Sequence, residues 1–407
     1  MIKGLRWHPG KLARSGGAIL GWMILRALAQ AVTIVLLARV LSGQTYGEFV
    51  AVIAVAGFAT PLAGLGLANM VLRNAARDPE AGPWYLRRAL LAWVWTLVPL
   101  AGVTVYLALL LLPKGLPLPP LGAAVTAELL AASLTELAAR YRQAQHRPHS
   151  YGAINAGLPM IRLLALGVLA IIVKSIDIAT LLWTHAAASV GYLALLWPVV
   201  RPTPTTTAAP AREAMPITSG LPFSISALTM RVQGEFNKPI LAHAGFGLAG
   251  TYNIAQRAVD IATLPLLALQ EALWPRLYAQ ANPLQQLRRT GASLLMLAAG
   301  MGALIWLLAP LLPVLVGVKY ADSIRILRLL AWLPLLQVGR ALINFHAIHH
   351  GHMHHISRAC IIGGGVSICA VTVLVPAHGM AGAAIASYIT EITMSLVLLG
   401  FAMRSSR

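Results

Sequence analysis

Six cationic side chains lie inside long apolar stretches of this chain: Arg26, Arg162, Arg231, Lys238, Arg257 and Arg340. Arg26 sits in GWMILRALAQAVTIVLLARVL, flanked on both sides by more than two turns of apolar sequence. A guanidinium so far from water costs about 2.5–3.5 kcal/mol on insertion scales, which marks it as a functional-site candidate. It carries a permanent charge and a planar fork of donors that matches carboxylate or phosphate oxygens. Arg26, Arg162 and Arg340 have no acidic residue within four positions, so they are candidates for contact with an anionic substrate. The alternatives are pairing with an acid on another helix, or snorkelling to an interface, for which Arg340 is best placed.

The remaining charges come in local groups. Arg231 and Lys238 flank Glu235, and Arg257 precedes Asp260 by three positions. Such spacings put partners on one helix face. Arg231 and Arg257 therefore read either as structural ion-pair members or as further substrate contacts. An acid in low dielectric can carry a proton, so Glu235 and Asp260 are the candidates for ion or proton coupling. Glu128, Glu136, Glu271 and Glu391 are the other acids in apolar sequence. FHAIHHGHMHH, from Phe345 to His355, is rich in imidazole. No cysteine or acid accompanies it, and its spacing matches no structural zinc site. It reads as a polar interfacial loop, and no metal, cofactor or catalytic residue is expected.

Charges of this kind need a membrane bundle to position them. The chain is 58% hydrophobic and 11% charged over 407 residues, which excludes a soluble domain. Runs of about 20 apolar residues predict about twelve helices. They fall near 16–41, 48–72, 88–112, 119–141, 152–173, 178–200, 217–241, 248–273, 289–313, 324–347, 356–376 and 380–402. The net charge of +19 invites a nucleic-acid reading. Its distribution argues otherwise. With the N-terminus in the cytoplasm, 19 of the 31 Lys and Arg residues fall at cytoplasmic ends, six at outer ends and six within spans. That bias is the positive-inside pattern, so both termini are expected in the cytoplasm and no nucleic-acid partner is expected. Pro61, Pro99, Pro159, Pro222, Pro265 and Pro334 lie in apolar runs, as ordinary membrane-helix prolines or as hinges.

The layout repeats about 203 residues on: Gly47 maps to Gly250, Phe49 to Tyr252 and Arg73 to Arg276. Pro61 falls within one position of Pro265, and Arg26 within two of Arg231. The longest loop, RPTPTTTAAPAREAMP, lies at the seam of that duplication. The expected organisation is a six-helix lobe over 1–200, a cytoplasmic linker over 201–216 and a second six-helix lobe over 217–407. An even helix number per lobe relates the lobes by an axis along the membrane normal. No loop is long enough for a catalytic domain, so the chain reads as a transporter and not an enzyme.

Four segments resemble a known family. LLARVLSGQTYGEF with LAGLGLANMVLR resembles the opening of polysaccharide transporters of the multidrug/oligosaccharidyl-lipid/polysaccharide exporter superfamily, closest to the Wzx-type oligosaccharide flippases. GTYNIAQR (Gly250–Arg257), followed by Pro265 and WPRL (Trp274–Leu277), is similar to that family's eighth helix. LVGVKYADSIRIL (Leu315–Leu327) and PAHGMAGAAIASYITE (Pro376–Glu391) are similar to its segments between helices nine and ten and at the last helix. The resemblance implies a two-lobed bundle in the bacterial inner membrane. It would move an undecaprenyl-diphosphate-linked glycan from the cytoplasmic to the outer leaflet, beside a polysaccharide polymerase and chain-length proteins. A drug/cation antiporter of the same superfamily is the alternative. A polyprenyl-linked glycosyltransferase or ligase lacks the loop it would need.

The topology is testable by labelling single cysteines placed in the Arg201–Pro216 linker of a variant without Cys360 and Cys369. Reagents that cannot cross the membrane should reach them only from the cytoplasmic side. Labelling from the outside would overturn the six-plus-six arrangement.

Overall fold

The computed structural model describes residues 11–201, 215–270, 283–349 and 353–405, and these contain helices and no strand. The first half comprises α1 (Lys11–Val40), α2 (Gly43–Ala59), α3 (Leu67–Arg77), α4 (Gly82–Leu111), α5 (Leu118–Ala144), α6 (Pro148–Ile172) and α7 (Ile178–Val200). The second comprises α8 (Leu221–Glu235), α9 (Asn237–Ala244), α10 (Phe246–Ala262), α11 (Pro283–Leu308), α12 (Leu312–Val316), α13 (Ser323–Leu330), α14 (Leu333–His349) and α15 (Met353–Ser405). The protein is an all-α polytopic membrane bundle of two lobes. Its rim exposes side chains that hydrocarbon solvates and water does not, such as Trp95 at 80%, Val98 at 75% and Ile171 at 86%.

Nine helical stretches among the described residues are long and apolar enough to span a membrane. The expected twelve follow once three local features are recognised. The stretch His355–Phe401 is two spans, because Gly379 breaks it with φ 56° and ψ −133°. α8 and α9 form one span interrupted at Phe236, since Pro239 has no N–H to give the Glu235 carbonyl. α10 turns at Thr263 and continues as a helix over 264–270, the limit of the described residues there. Glu271, WPRL and most of the linker lie outside the described residues, as do His350, Gly351 and His352 of the histidine tract.

The 203-residue repeat is visible as matching breaks. Thr60 and Thr263 are both buried, and each hydroxyl donates to the carbonyl four residues back, Ala56 at 3.2 Å and Val259 at 3.0 Å. A helix break follows each, at Pro61 and before Pro265. Pro99 and Pro159, by contrast, sit inside continuous helices. The lobes meet along α2 and α10, and the repeat-related glycines face each other there. A Cβ on Gly47 would overlap the Phe246 carbonyl, and one on Gly250 would come within 2.9 Å of Tyr46 Cδ1. At the far end of α2 the chain turns through Gly64, Leu65 and Gly66, all at positive φ. There the Gly66 and Gly220 backbones touch too closely for any side chain, and Ser224 donates to the Pro61 carbonyl at 2.7 Å.

At the α1 C-terminal end a set of polar bonds latches the lobes. Arg39 donates to the Leu315 and Val314 carbonyls at 2.6 and 2.8 Å, at the end of α12. His243, one position from the repeat equivalent of Arg39, lies 3.0 Å from the Leu111 carbonyl at the end of α4. In both halves a polar side chain thus meets a helix C-terminus, where carbonyls lack partners. Lys319 donates to the Leu41 carbonyl, and Asn253 donates to the Tyr46 hydroxyl at 2.8 Å.

Replacing Arg39 and Lys319 together with Ala should loosen this end without unfolding either lobe. In a cysteine-free background, maleimide labelling of Thr33→Cys from the latch side should rise several-fold. Unchanged labelling would show that the glycine seam alone keeps this end shut.

Candidate functional site

The break at Phe236 places Glu235 and Lys238 at the middle of the seventh span, beside α10. Lys238 donates to Glu235 Oε2, and Arg257 of α10 reaches Oε1 at 2.8 Å. The i,i+4 spacing pairs Arg231 with Glu235 on paper, but the carboxylate is taken up by Lys238 and Arg257. Among the described residues Arg231 has no salt bridge, and it stands exposed at a cavity. The Arg257–Asp260 pair forms as its spacing implies, at 3.4 Å. Asp260 remains half exposed, while Lys238 is 1% exposed and is out of reach of a substrate.

Arg162 and Arg340 find acids on other helices. Arg162 of α6 lies 2.6 Å from Glu128 Oε2 of α5, and two of its nitrogens donate to Ser189 Oγ of α7 at 3.0 and 2.9 Å. His185 of α7 shares that carboxylate oxygen at 2.8 Å and packs edge-on against Phe49 of α2. In the second lobe Arg340 of α14 grips Glu391 of α15 through two nitrogens, at 2.7 and 3.4 Å. Each lobe thereby ties its fourth span to its sixth with a buried charged contact. Glu136 lies elsewhere, exposed in a small pocket with Trp93 and Asn69.

A cavity of about 260 Å³ separates the lobes. Arg162 and His185 stand on one wall, and Arg257 and Asp260 on the other. Arg26 is exposed and lies on the face of α1 that carries Gln30 and Thr33, both of which line the central cavity. It therefore faces the space between lobes and not lipid. A second cavity of about 220 Å³ lies within the second lobe, lined by Arg231, Gln256, Gln337, Arg340, Ser387 and Glu391 among others. Asp260 borders both cavities. Arg162, Arg257 and Asp260 thus line the central cavity, Arg231, Glu235, Asp260 and Arg340 line the second, and Arg26 lines neither.

Local sequence spacing missed Glu128 and Glu391 as partners, because it compares positions on one helix. His185 was visible as a lone imidazole in LLWTHAAASV. Gln256 and Gln337 carried no signal beyond being polar in apolar runs.

The network makes a stability prediction. Removing one member of a buried pair strands the other charge and costs about 3–5 kcal/mol. Arg340→Ala should lower membrane protein level and melting temperature, and Arg340→Ala with Glu391→Ala should recover much of both. A normal level for the single variant would show that the pair is not structural.

Comparison with known proteins places the chain. The family model for polysaccharide biosynthesis protein matches residues 12–281. No curated protein matches the sequence. Among solved structures, the lipid II flippase MurJ in an inward closed conformation superposes with a TM-score of 0.73 at 12% identity, covering 95% of this chain and 87% of that one. An inward-facing multidrug resistance MATE transporter of the MOP superfamily superposes at 0.64 with 18% identity, covering 96% and 98%. A MOP superfamily transporter from Pyrococcus furiosus gives 0.59 at 16% identity, covering 97% and 94%. These likenesses concern the fold, whereas the family model concerns the sequence itself. The chain belongs to the polysaccharide biosynthesis protein family and has the two-lobed fold of the multidrug/oligosaccharidyl-lipid/polysaccharide exporters.

Proposed function

We propose that the chain carries a polyprenyl-diphosphate-linked oligosaccharide from the cytoplasmic to the outer leaflet, by alternating access of lobes 1–200 and 217–407 about the linker 201–216. The carrying observation is a charge balance. Of the six cations within the spans, four meet the carboxylates Glu128, Glu235, Asp260 and Glu391. Arg26 and Arg231 have no such partner among the described residues, and both side chains are exposed. Cations left unpaired away from bulk water favour an anion beside them. A diphosphate esterified at both ends keeps one negative charge on each phosphate, which matches the surplus.

The family supports polysaccharide assembly as the setting, and a structural neighbour is itself a lipid II flippase. The positive-inside bias supports cytoplasmic termini in a bacterial inner membrane, which makes the Arg39 latch the outer gate. Membrane lipids, and a polysaccharide polymerase with chain-length proteins, are the partners this role requires. Glu235 is clasped by two cations, so the half-exposed Asp260 is the better placed of the two coupling candidates. A drug/cation antiporter requires surplus acid in the cavity, and here the surplus is basic.

Each charge-assisted hydrogen bond is worth about 1.5–3 kcal/mol, so Arg26→Ala and Arg231→Ala should each weaken substrate binding on the order of ten- to a hundredfold. Surface polysaccharide display should collapse while membrane protein level holds. Arg26→Lys keeps the charge without the fork and should retain partial display. Normal display in Arg26→Ala and Arg231→Ala would remove the anionic substrate.

A further inference from the structure

We propose that the cavity inside the second lobe is the subsite for the sugar residue bonded directly to the diphosphate, and that it takes a neutral, hydroxyl-rich pyranose. The inference rests on the diphosphate reading above and adds the identity of the adjoining group.

Its position follows from covalent connectivity. The first sugar is joined to the distal phosphate through a single bridging oxygen, so its pocket must adjoin the phosphate-binding cations. Arg231 meets that requirement, because its side chain lines the second-lobe cavity. α10 stands between the two cavities, with Gln256 and Val259 lining the second-lobe one and Arg257 and Ile261 the central one, and Asp260 borders both, so they adjoin across that helix's edge. The volume, about 220 Å³, has room for one ring with its hydroxyls.

The lining matches sugar chemistry. A hydroxyl both donates and accepts, so a sugar needs a wall that mixes the two roles. Gln256 Nε2 donates to the Gly234 carbonyl at 2.8 Å, which orients the amide. Its Oε1 has no hydrogen-bond partner among the described residues and is covered by protein, so a ligand hydroxyl would reach it only after the amide swings toward the cavity. Ser387 lines the cavity and donates its proton to the Ala383 carbonyl at 3.1 Å, which leaves its oxygen to accept. Gln337 and Arg231 supply donors, and Leu330 and Leu333 supply an apolar surface for the C–H face of a ring.

The charges select against an acidic sugar. Arg340 is already engaged by Glu391 through two bonds, and Arg231 is claimed by the phosphates. A carboxylated ring would meet Asp260 and Glu391 with no free cation of its own. A neutral ring meets no such conflict.

The test uses the full-length protein purified in detergent, with inorganic pyrophosphate, glucose 1-phosphate and glucuronic acid 1-phosphate as probes. Binding is read by ligand-observed NMR and by tryptophan fluorescence. The wild type should bind pyrophosphate, bind glucose 1-phosphate and bind glucuronic acid 1-phosphate at least tenfold more weakly than glucose 1-phosphate. Gln337→Leu with Ser387→Ala should weaken glucose 1-phosphate about tenfold, as expected for two lost hydrogen bonds. The same variant should keep wild-type pyrophosphate binding, which also shows that it is folded. If pyrophosphate binds and the variant leaves glucose 1-phosphate unchanged, the subsite is overturned while the diphosphate reading stands. If pyrophosphate fails to bind the wild type, the diphosphate reading falls first. Equal binding of the two sugar phosphates overturns the neutral preference. A sodium-dependent rise in melting temperature that Asp260→Asn abolishes, with no sugar effect, would make the cavity a cation site and overturn the proposal.

Discussion

A charge inside a membrane bundle must be met by an opposite charge or by a polar space, and that constraint organises this protein. An unpaired guanidinium or carboxylate in hydrocarbon is too costly to keep, so each one dictates what its neighbours do. Glu128 draws α5, α6 and α7 together through Arg162 and His185. Glu391 does the same for α14 and α15 through Arg340. Glu235 sits where Pro239 interrupts the seventh span, and it binds α9 to α10 through Lys238 and Arg257. Once these demands are met, Arg26 and Arg231 are left without a carboxylate partner among the described residues, and Arg231 opens into the second-lobe cavity.

The seam between lobes obeys a steric rule. Side chains along most of α2 and α10 would hold the helices apart, and glycine lets the backbones touch. The polar latch at one end and the Gly66–Gly220 contact at the other bracket the cavity. The latch bonds end on helix C-terminal carbonyls, which have no partner inside their own helix. Breaking them exposes groups that water can satisfy at the membrane surface, so opening that end leaves no buried polar atom stranded. The contrast with the buried ion pairs is physical: those lie deep within a lobe, where nothing replaces a lost partner.

Much of this was legible in the sequence. The apolar runs located the spans, and the repeat is echoed where Thr60 and Thr263 make the same bond 203 positions apart. Arg26 stood out because its isolation is a property of its own helix. The paired state of Arg162 and Arg340 was open from sequence, because their acids lie 34 and 51 residues away on other helices. Arg231 shows the opposite failure: a favourable i,i+4 spacing to Glu235 yielded to two better-placed cations. Gly379 also shows how short a reversal can be when one glycine takes a conformation closed to other residues.

The facing glycines carry an implication about descent. A contact between equivalent positions across a two-fold axis is what a symmetric dimer makes with itself. In a half-length ancestor that paired with its own copy, one codon wrote both sides of this seam, and any change there was felt twice. Fusion of such halves into a single gene would release the two positions from each other. They now tolerate different things: a methyl at Gly47 collides with backbone, whereas one at Gly250 first meets the edge of the Tyr46 ring. Drift in the second half is therefore cheaper than in the first, and the pseudo-symmetry should erode from the α10 side.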